Sequence, residues 1–290
     1  MSIDQSTLEN PSTDRAANMA DFIVGQDWLE ANLGNPDLRI IQVGGDKYFA
    51  KFHIPGATLL AYNQIAEMRD GVAGARVGTD RLIKLFGQLG IAPNSKVVAY
   101  DVAGGTDSSR LIWTLATLGF VDGVILDGGL GRWYEEQRPM EQEIKVVEPV
   151  EFLPQPDSSW EITAEEVDRA SQGGWDGAII DVRTVKEYVG DTIKAPRGHI
   201  KGAKHFEWSQ TLRGPRDMRL KDRDQLLEML KDIGVEDFDQ EIIVYCEAGH
   251  RASQSWLLLR SLGFKSVRLF AGSISEWRVL ELPVVAGSRP

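Results

Sequence analysis

The chain holds a single cysteine, Cys246, and it is followed by Glu247, Ala248, Gly249, His250 and Arg251. Before it, Ile242-Ile243-Val244-Tyr245 reads as a buried strand. After it, residues 253–262 read as a helix closed by Gly263. The thiol is therefore expected at the carboxyl end of a strand, with a helix N-terminus just beyond. Loop N–H groups there lack intrachain acceptors, and the helix dipole adds partial positive charge. Such a nest favours anions, and thiols in it lose their proton more readily than free cysteine. Arg251 adds a permanent cation at the far rim. A free cysteine is more often a small buried hydrophobe, but a core cysteine needs no glycine-containing loop, arginine and helix start behind it. The pattern predicts a nucleophilic thiolate.

The elements that must hold this thiol occur twice, which points to a duplicated unit. Ile40-Ile41-Gln42-Val43 is echoed by Ile179-Ile180-Asp181-Val182, and His53-Ile54-Pro55-Gly56-Ala57 by His199-Ile200-Lys201-Gly202-Ala203. An amphipathic helix follows in each half, with Leu82, Leu85, Phe86 and Leu89 on one face of the first. Leu226, Leu227, Leu230 and Ile233 line the second. Strands over 96–101 and 241–246 come next, each with a glycine-containing loop and a helix ending Leu-Gly-Phe. Last come strands running into Gly128-Gly129 and Gly272-Ser273, with Trp133 and Trp277 five residues past the first glycine.

Strands alternating with helices predict an α/β fold with mainly parallel sheets flanked by helices. The expected division is a polar leader over 1–20, a first domain over 21–138, a linker over 139–158 and a second domain over 159–290. The linker is rich in proline and charge. Ligands of open α/β sheets gather at the carboxyl ends of strands, where Cys246 lies. In the first half Asp101 takes its place. The loop there is one residue longer and sets Thr106 against Arg251. A carboxylate cannot do the soft nucleophilic work of a thiolate, and it fits among inward N–H groups only by capping the helix. The first half is expected to be silent and to wall the cleft, with Asp107 or Ser108 as N-cap.

The net charge of -11 argues against nucleic-acid and anionic-membrane partners. There is no apolar run long enough to span a membrane, and residues 1–20 lack the apolar core of a signal peptide. One cysteine makes neither an internal disulfide nor a cysteine-based zinc site, so a reducing cytoplasmic location is expected. The histidines at 53, 199, 205 and 250 are not spaced as a zinc cluster. Trp113, Trp133, Trp256 and Trp277 read as core residues. Gly104-Gly105 and Gly128-Gly129 read as turns, and 213–219 as a solvated loop, with the entrance to the cleft as its alternative place.

With these residues in view, the chain resembles the two-domain rhodaneses, the thiosulfate and 3-mercaptopyruvate sulfurtransferases, over about residues 22–285. That family pairs an inactive N-terminal domain with an active C-terminal one whose loop runs Cys-x-x-x-x-Arg, and 246–251 matches it. The resemblance implies two tandem rhodanese-like domains and a Cys246 that takes sulfane sulfur as a persulfide. Backbone N–H groups of Glu247, Ala248, Gly249, His250 and Arg251 would cradle the outer sulfur. Asp181 and Arg183 resemble the family's Asp-x-Arg, which braces the loop by charge-assisted hydrogen bonds; otherwise they form a surface ion pair of little worth. His199 is expected to be structural.

Two departures bear on the donor. Mercaptopyruvate-specific members carry Cys-Gly-Ser-Gly-Val-Thr in the loop and an arginine where Glu187 stands here, beside Lys186. Thiosulfate-preferring members often place a cation right after the cysteine, where this chain has Glu247, a charge that His250 and Arg251 are left to offset. The resemblance thus implies a thiosulfate sulfurtransferase with a thiol or cyanide as acceptor. It further implies no cofactor, no metal and a monomer. The alternatives are a 3-mercaptopyruvate sulfurtransferase and a non-catalytic persulfide carrier. Cysteine phosphatases of similar fold use a loop one residue longer, which disfavours phosphoryl hydrolysis.

Overall fold

Short apolar runs become parallel strands in both halves of the computed structural model, which describes residues 19–193 and 197–290. The expected leader falls almost wholly outside the described residues. In the first half the strands are β1 (Ile23–Val24), β2 (Leu38–Val43), β3 (Ala57–Leu60), β6 (Lys96–Tyr100) and β7 (Gly123–Leu126). Between them lies a hairpin of β4 (Ala66–Arg69) and β5 (Val72–Arg76). In the second half they are β8 (Gly177–Asp181), β9 (Lys204–His205), β10 (Glu241–Tyr245) and β11 (Ser266–Leu269). The first sheet runs β1-β7-β6-β2-β3 and the second β11-β10-β8-β9. Every pairing in these two sheets is parallel, and the β4–β5 hairpin is antiparallel. The expected α/β architecture is borne out. The second sheet has no full counterpart of β1; a single bridge from Glu161 to Leu269 marks its place.

The central strands are buried on both faces, as parallel strands covered by helices must be. Val97, Val98, Ala99 and Tyr100 are inaccessible, and so are Ile242, Ile243, Val244 and Tyr245. Strand order reverses between β8 and β10, so the crevice outside their carboxyl ends is the switch point where such sheets hold ligands. Asp181 ends β8 there, and Cys246 follows β10.

Helices Thr106–Ala116 and His250–Leu262, which follow the two loops, pack on each other across the domain boundary. A helix buried on all sides has no polar face to show. Here the buried serines and threonines return their hydroxyls to the helix backbone: Thr114 donates to Arg110 O (2.8 Å) and Ser253 to Gly249 O (2.7 Å). Trp256, Leu257, Leu258, Leu259 and Leu262 are buried on one side and Leu111, Ile112, Trp113 and Leu115 on the other. Each such side chain stabilises the packed state by about 1.5–3 kcal/mol, so the two halves share a core. The expected core tryptophans are buried, and Trp133 and Trp277 donate to equivalent carbonyls, those of Pro139 and Pro283.

Candidate functional site

The helix after Cys246 begins at His250, three residues before the pattern predicts. No side chain caps it. Gly249 serves as N-cap at φ +71, a conformation that costs glycine nothing. The carbonyls of Cys246 and Glu247 accept from Ile274 N (3.2 Å) and Ser275 N (2.9 Å). The N–H groups of Cys246 and Gly249 both donate to the buried Ser273 hydroxyl, at 3.0 and 3.1 Å. Gly249 N–H is therefore drawn away from the cradle the sequence assigns it to. The N–H groups of Ala248, His250, Arg251 and Ala252 have no hydrogen-bond acceptor among the described residues. These are the orphan donors of a helix start, at the positive end of its dipole.

The same loop in the first half shows where such donors converge. Asp101 Oδ1 accepts from Ala103 N (2.8 Å) and Gly105 N (3.0 Å), and Oδ2 from Ser108 N and the Ser108 hydroxyl (both 2.8 Å). The carboxylate fills the nest from within. The N-cap is Gly105, neither Asp107 nor Ser108. With helix starts at Thr106 and His250, the extra residue of the first loop precedes the N-cap, and Arg251 corresponds to Asp107 rather than Thr106. Where the first half has Gly129 at φ +55, the second has Ser273 at φ +52. A side chain tolerates that backbone only when the surroundings fix it, and here its hydroxyl binds two loop amides.

The charges around the Cys246 loop are paired. Arg251 makes a two-pronged contact with Glu187 (2.8 Å each), Glu247 meets Arg278 (3.0 Å), and His250 meets Asp107 of the first domain. His250 and Arg251 thus bond to other carboxylates rather than to Glu247. Burial raises the Glu187 carboxyl, but hydrogen bonds from Arg251 and Thr184 outweigh it and hold the group at about 2. Asp181 and Arg183 form a buried pair (2.6 Å), not a surface one. Their further bonds run from the Tyr245 hydroxyl to Asp181 (2.9 Å) and from Arg183 to Gly198 O (2.7 Å). They hold the strand end beneath Cys246 and form no hydrogen bond or ion pair with residues 247–251. His199 is buried, stacked on Tyr188 at 3.7 Å, and bonded to Tyr188 O; the following Ile200 N donates to the Tyr245 hydroxyl (3.0 Å).

Cys246 is 1% exposed. The first domain packs directly against the loop that follows it. Gly74, between β5 residues, lies so near Ala248 that a Cβ there would fall 2.0 Å from the Ala248 carbonyl oxygen. Ala73 N donates to Ser275 Oγ (2.8 Å), and Arg110 donates to Gly74 O (2.7 Å). Tyr62 stacks at a tilt on His250, and burial raises its phenol to about 12. Residues 213–219 lie elsewhere: Pro215, Arg216, Asp217 and Met218 line a cavity of about 450 Å³ over the first sheet, beside Asp101. Among the described residues no cluster of three or more His, Cys, Asp or Glu side chains is placed to hold a metal, and no helix is long and apolar enough to cross a membrane.

Sequence reading missed Ser273, Gly74, Tyr62 and Arg110. The mismatch of Gly129 with Ser273 between the repeats is a signal for the first, and an arginine opening the apolar run Leu111-Ile112-Trp113 is one for the last.

Two copies of one parallel-sheet unit, with a cysteine loop in the second only, define a tandem-domain architecture. A profile of the Rhodanese-like domain matches residues 25–136 and 163–279, and the chain belongs to that family. It is 32% identical over 254 residues to a thiosulfate sulfurtransferase of Azotobacter vinelandii, covering 86% of this chain and 91% of the relative. It is 28% identical to the sulfur carrier protein TtuD of Thermus thermophilus, covering 92% and 97%. Among solved structures, wild-type EanB superposes with a TM-score of 0.83 at 20% identity, over 94% of this chain and 71% of that one. YnjE superposes at 0.76 and 23% identity, over 92% and 68%.

Proposed function

We propose that the chain transfers the sulfane sulfur of thiosulfate to a thiol or cyanide through a persulfide on Cys246. The chain is a rhodanese-family sulfurtransferase, in keeping with relatives named thiosulfate sulfurtransferase over most of its length. The observation that carries the finer reading is the contrast between the loops. In the first, the amides close on the Asp101 carboxylate. In the second, a sulfur takes the carboxylate's place and the amides of Ala248, His250, Arg251 and Ala252 stay unspent.

The Cys246 thiolate attacks the outer sulfur of thiosulfate. The S–S bond of the donor breaks, and its electron pair leaves with sulfite. An acceptor thiolate then attacks the outer persulfide sulfur and releases Cys246 as a thiolate. Splitting the transfer through a covalent intermediate gives ping-pong kinetics. The loop amides stabilise anionic sulfur in both steps, as preorganised donors do. Cys246 is buried, so a donor reaches it only after part of the surrounding structure moves.

The likeness to a sulfur carrier favours one second reading, in which the acceptor is a protein thiol and small-molecule turnover is slow. Cys246→Ser is expected to abolish transfer from thiosulfate to cyanide while the circular dichroism spectrum stays unchanged. Retained transfer in that variant would refute the assignment. Rapid exchange to a protein thiol with little cyanide turnover favours the carrier.

A further inference from the structure

Around the Cys246 loop, Glu247, His250 and Arg251 are matched by Arg278, Asp107 and Glu187, and Arg183 by Asp181. Arg110 is matched by no carboxylate among the described residues. It stands on the helix Thr106–Ala116 of the first domain and is wholly buried. Its Nη2 donates to Gly74 O at 2.7 Å, while Nε and Nη1 have no hydrogen-bond partner. The guanidinium lies 4.6 Å over the Trp113 ring, which fixes its plane. Nη1 reaches the N-cap of the Cys246 loop so closely that a Cβ on Gly249 would come within 2.5 Å of it. Its field acts on the Tyr62 phenol, opposing the burial that raises it.

Burying a cation without a counter-ion is costly, and two unspent guanidinium donors add to that cost. The arrangement is favourable when an anion occupies the loop. The helix of the second domain does not reciprocate. Gln254, not an arginine, approaches Gly105 of the silent loop, where the Asp101 carboxylate already supplies the negative charge.

We propose that Arg110 is an anion-binding residue of the second domain's site: from the first domain, its Nε and Nη1 complete the nest of loop amides and select sulfur donors with an oxyanion end, of which thiosulfate is one. This rests on the sulfurtransfer reading. It also gives the silent half a chemical task. The cation that Glu247 displaces from the loop is supplied across the domain boundary.

The test is calorimetric titration of the full chain with sulfate, an inert dianion of the donor's shape, for wild type, Arg110→Met and Arg110→Lys, each with a thermal melt. Wild type is expected to bind sulfate. Arg110→Met is expected to weaken it by at least about tenfold, and Arg110→Lys by a smaller factor, since the charge stays but the fork is lost. A wild-type chain that binds no sulfate overturns the proposal, as does a folded Arg110→Met that binds as tightly as wild type. Should Arg110→Met unfold, Arg110→Lys with undiminished affinity overturns it instead. Sulfate binding that depends on Arg110 in a chain that transfers no sulfur would sink the reaction and spare the residue. Sulfur transfer with sulfate affinity indifferent to Arg110 would do the reverse.

Discussion

Ser273 is the tie between the Cys246 loop and the last helix, and its replacement gives a result that can be worked out in advance. Its hydroxyl accepts from Cys246 N and Gly249 N and donates to Phe270 O at 2.8 Å. Ser273→Ala leaves two buried amides with no acceptor. Each orphaned group costs about 1–3 kcal/mol, so the pair costs about 4 kcal/mol. The backbone there stands at φ +52, which alanine does not relieve. Ser273→Gly loses the same hydrogen bonds but regains about 1 kcal/mol of left-handed strain, as Gly129 does at the matching place. The expected order of stability in urea unfolding is therefore wild type, then Ser273→Gly about 3 kcal/mol below, then Ser273→Ala about 1 kcal/mol lower still. Both variants are expected to lose sulfur transfer, because the freed Gly249 amide no longer holds the loop. A Ser273→Ala chain within about 1 kcal/mol of wild type, or one more stable than Ser273→Gly, would refute the reasoning.

Glu187, whose carboxyl sits at about 2 rather than the ordinary 4.5, stabilises the fold above the ordinary carboxylate range and loses that contribution as pH falls towards 2. The melting temperature of wild type is expected to fall more steeply on acidification than that of Glu187→Gln, and parallel acid limbs would contradict this. Gly74→Ala puts a Cβ against the Ala248 carbonyl and is expected to lift the hairpin; iodoacetamide should then label Cys246 at least about tenfold faster, the factor that displacing about 1.4 kcal/mol of contact gives. Labelling at the wild-type rate would show that the hairpin does not govern access. Asp101→Ala strips the acceptor from three amides of the first loop and is expected to cost about 3 kcal/mol at ~1 each, read by urea unfolding; a loss under about 1 kcal/mol would contradict the nest.

The strands and helices were legible because their periods are local. Ile242 to Tyr245 is apolar throughout since both faces of β10 are covered, and Leu226 and Leu230 share a helical face one turn apart. The start of the helix at His250 was not legible, because its cap is no side chain in the loop; a glycine in the left-handed region and a serine 24 residues on do that work. The charge pattern failed for the same reason. His250 and Arg251 look like free cations in sequence, but their carboxylates are Asp107 and Glu187, 143 and 64 residues away. Arg110, Tyr62 and Gly74 reach the loop only because the two halves of the repeat pack on each other, and no spacing along the chain encodes that contact.

The most direct test of the account is intact-protein mass spectrometry of the full chain after exposure to thiosulfate without reductant, followed by peptide mapping. The chain is expected to gain one sulfur atom, on the peptide that carries Cys246, and to lose it on addition of cyanide with release of thiocyanate. A chain that gains no sulfur, or holds it when cyanide is added, would contradict the persulfide and with it the proposed reaction.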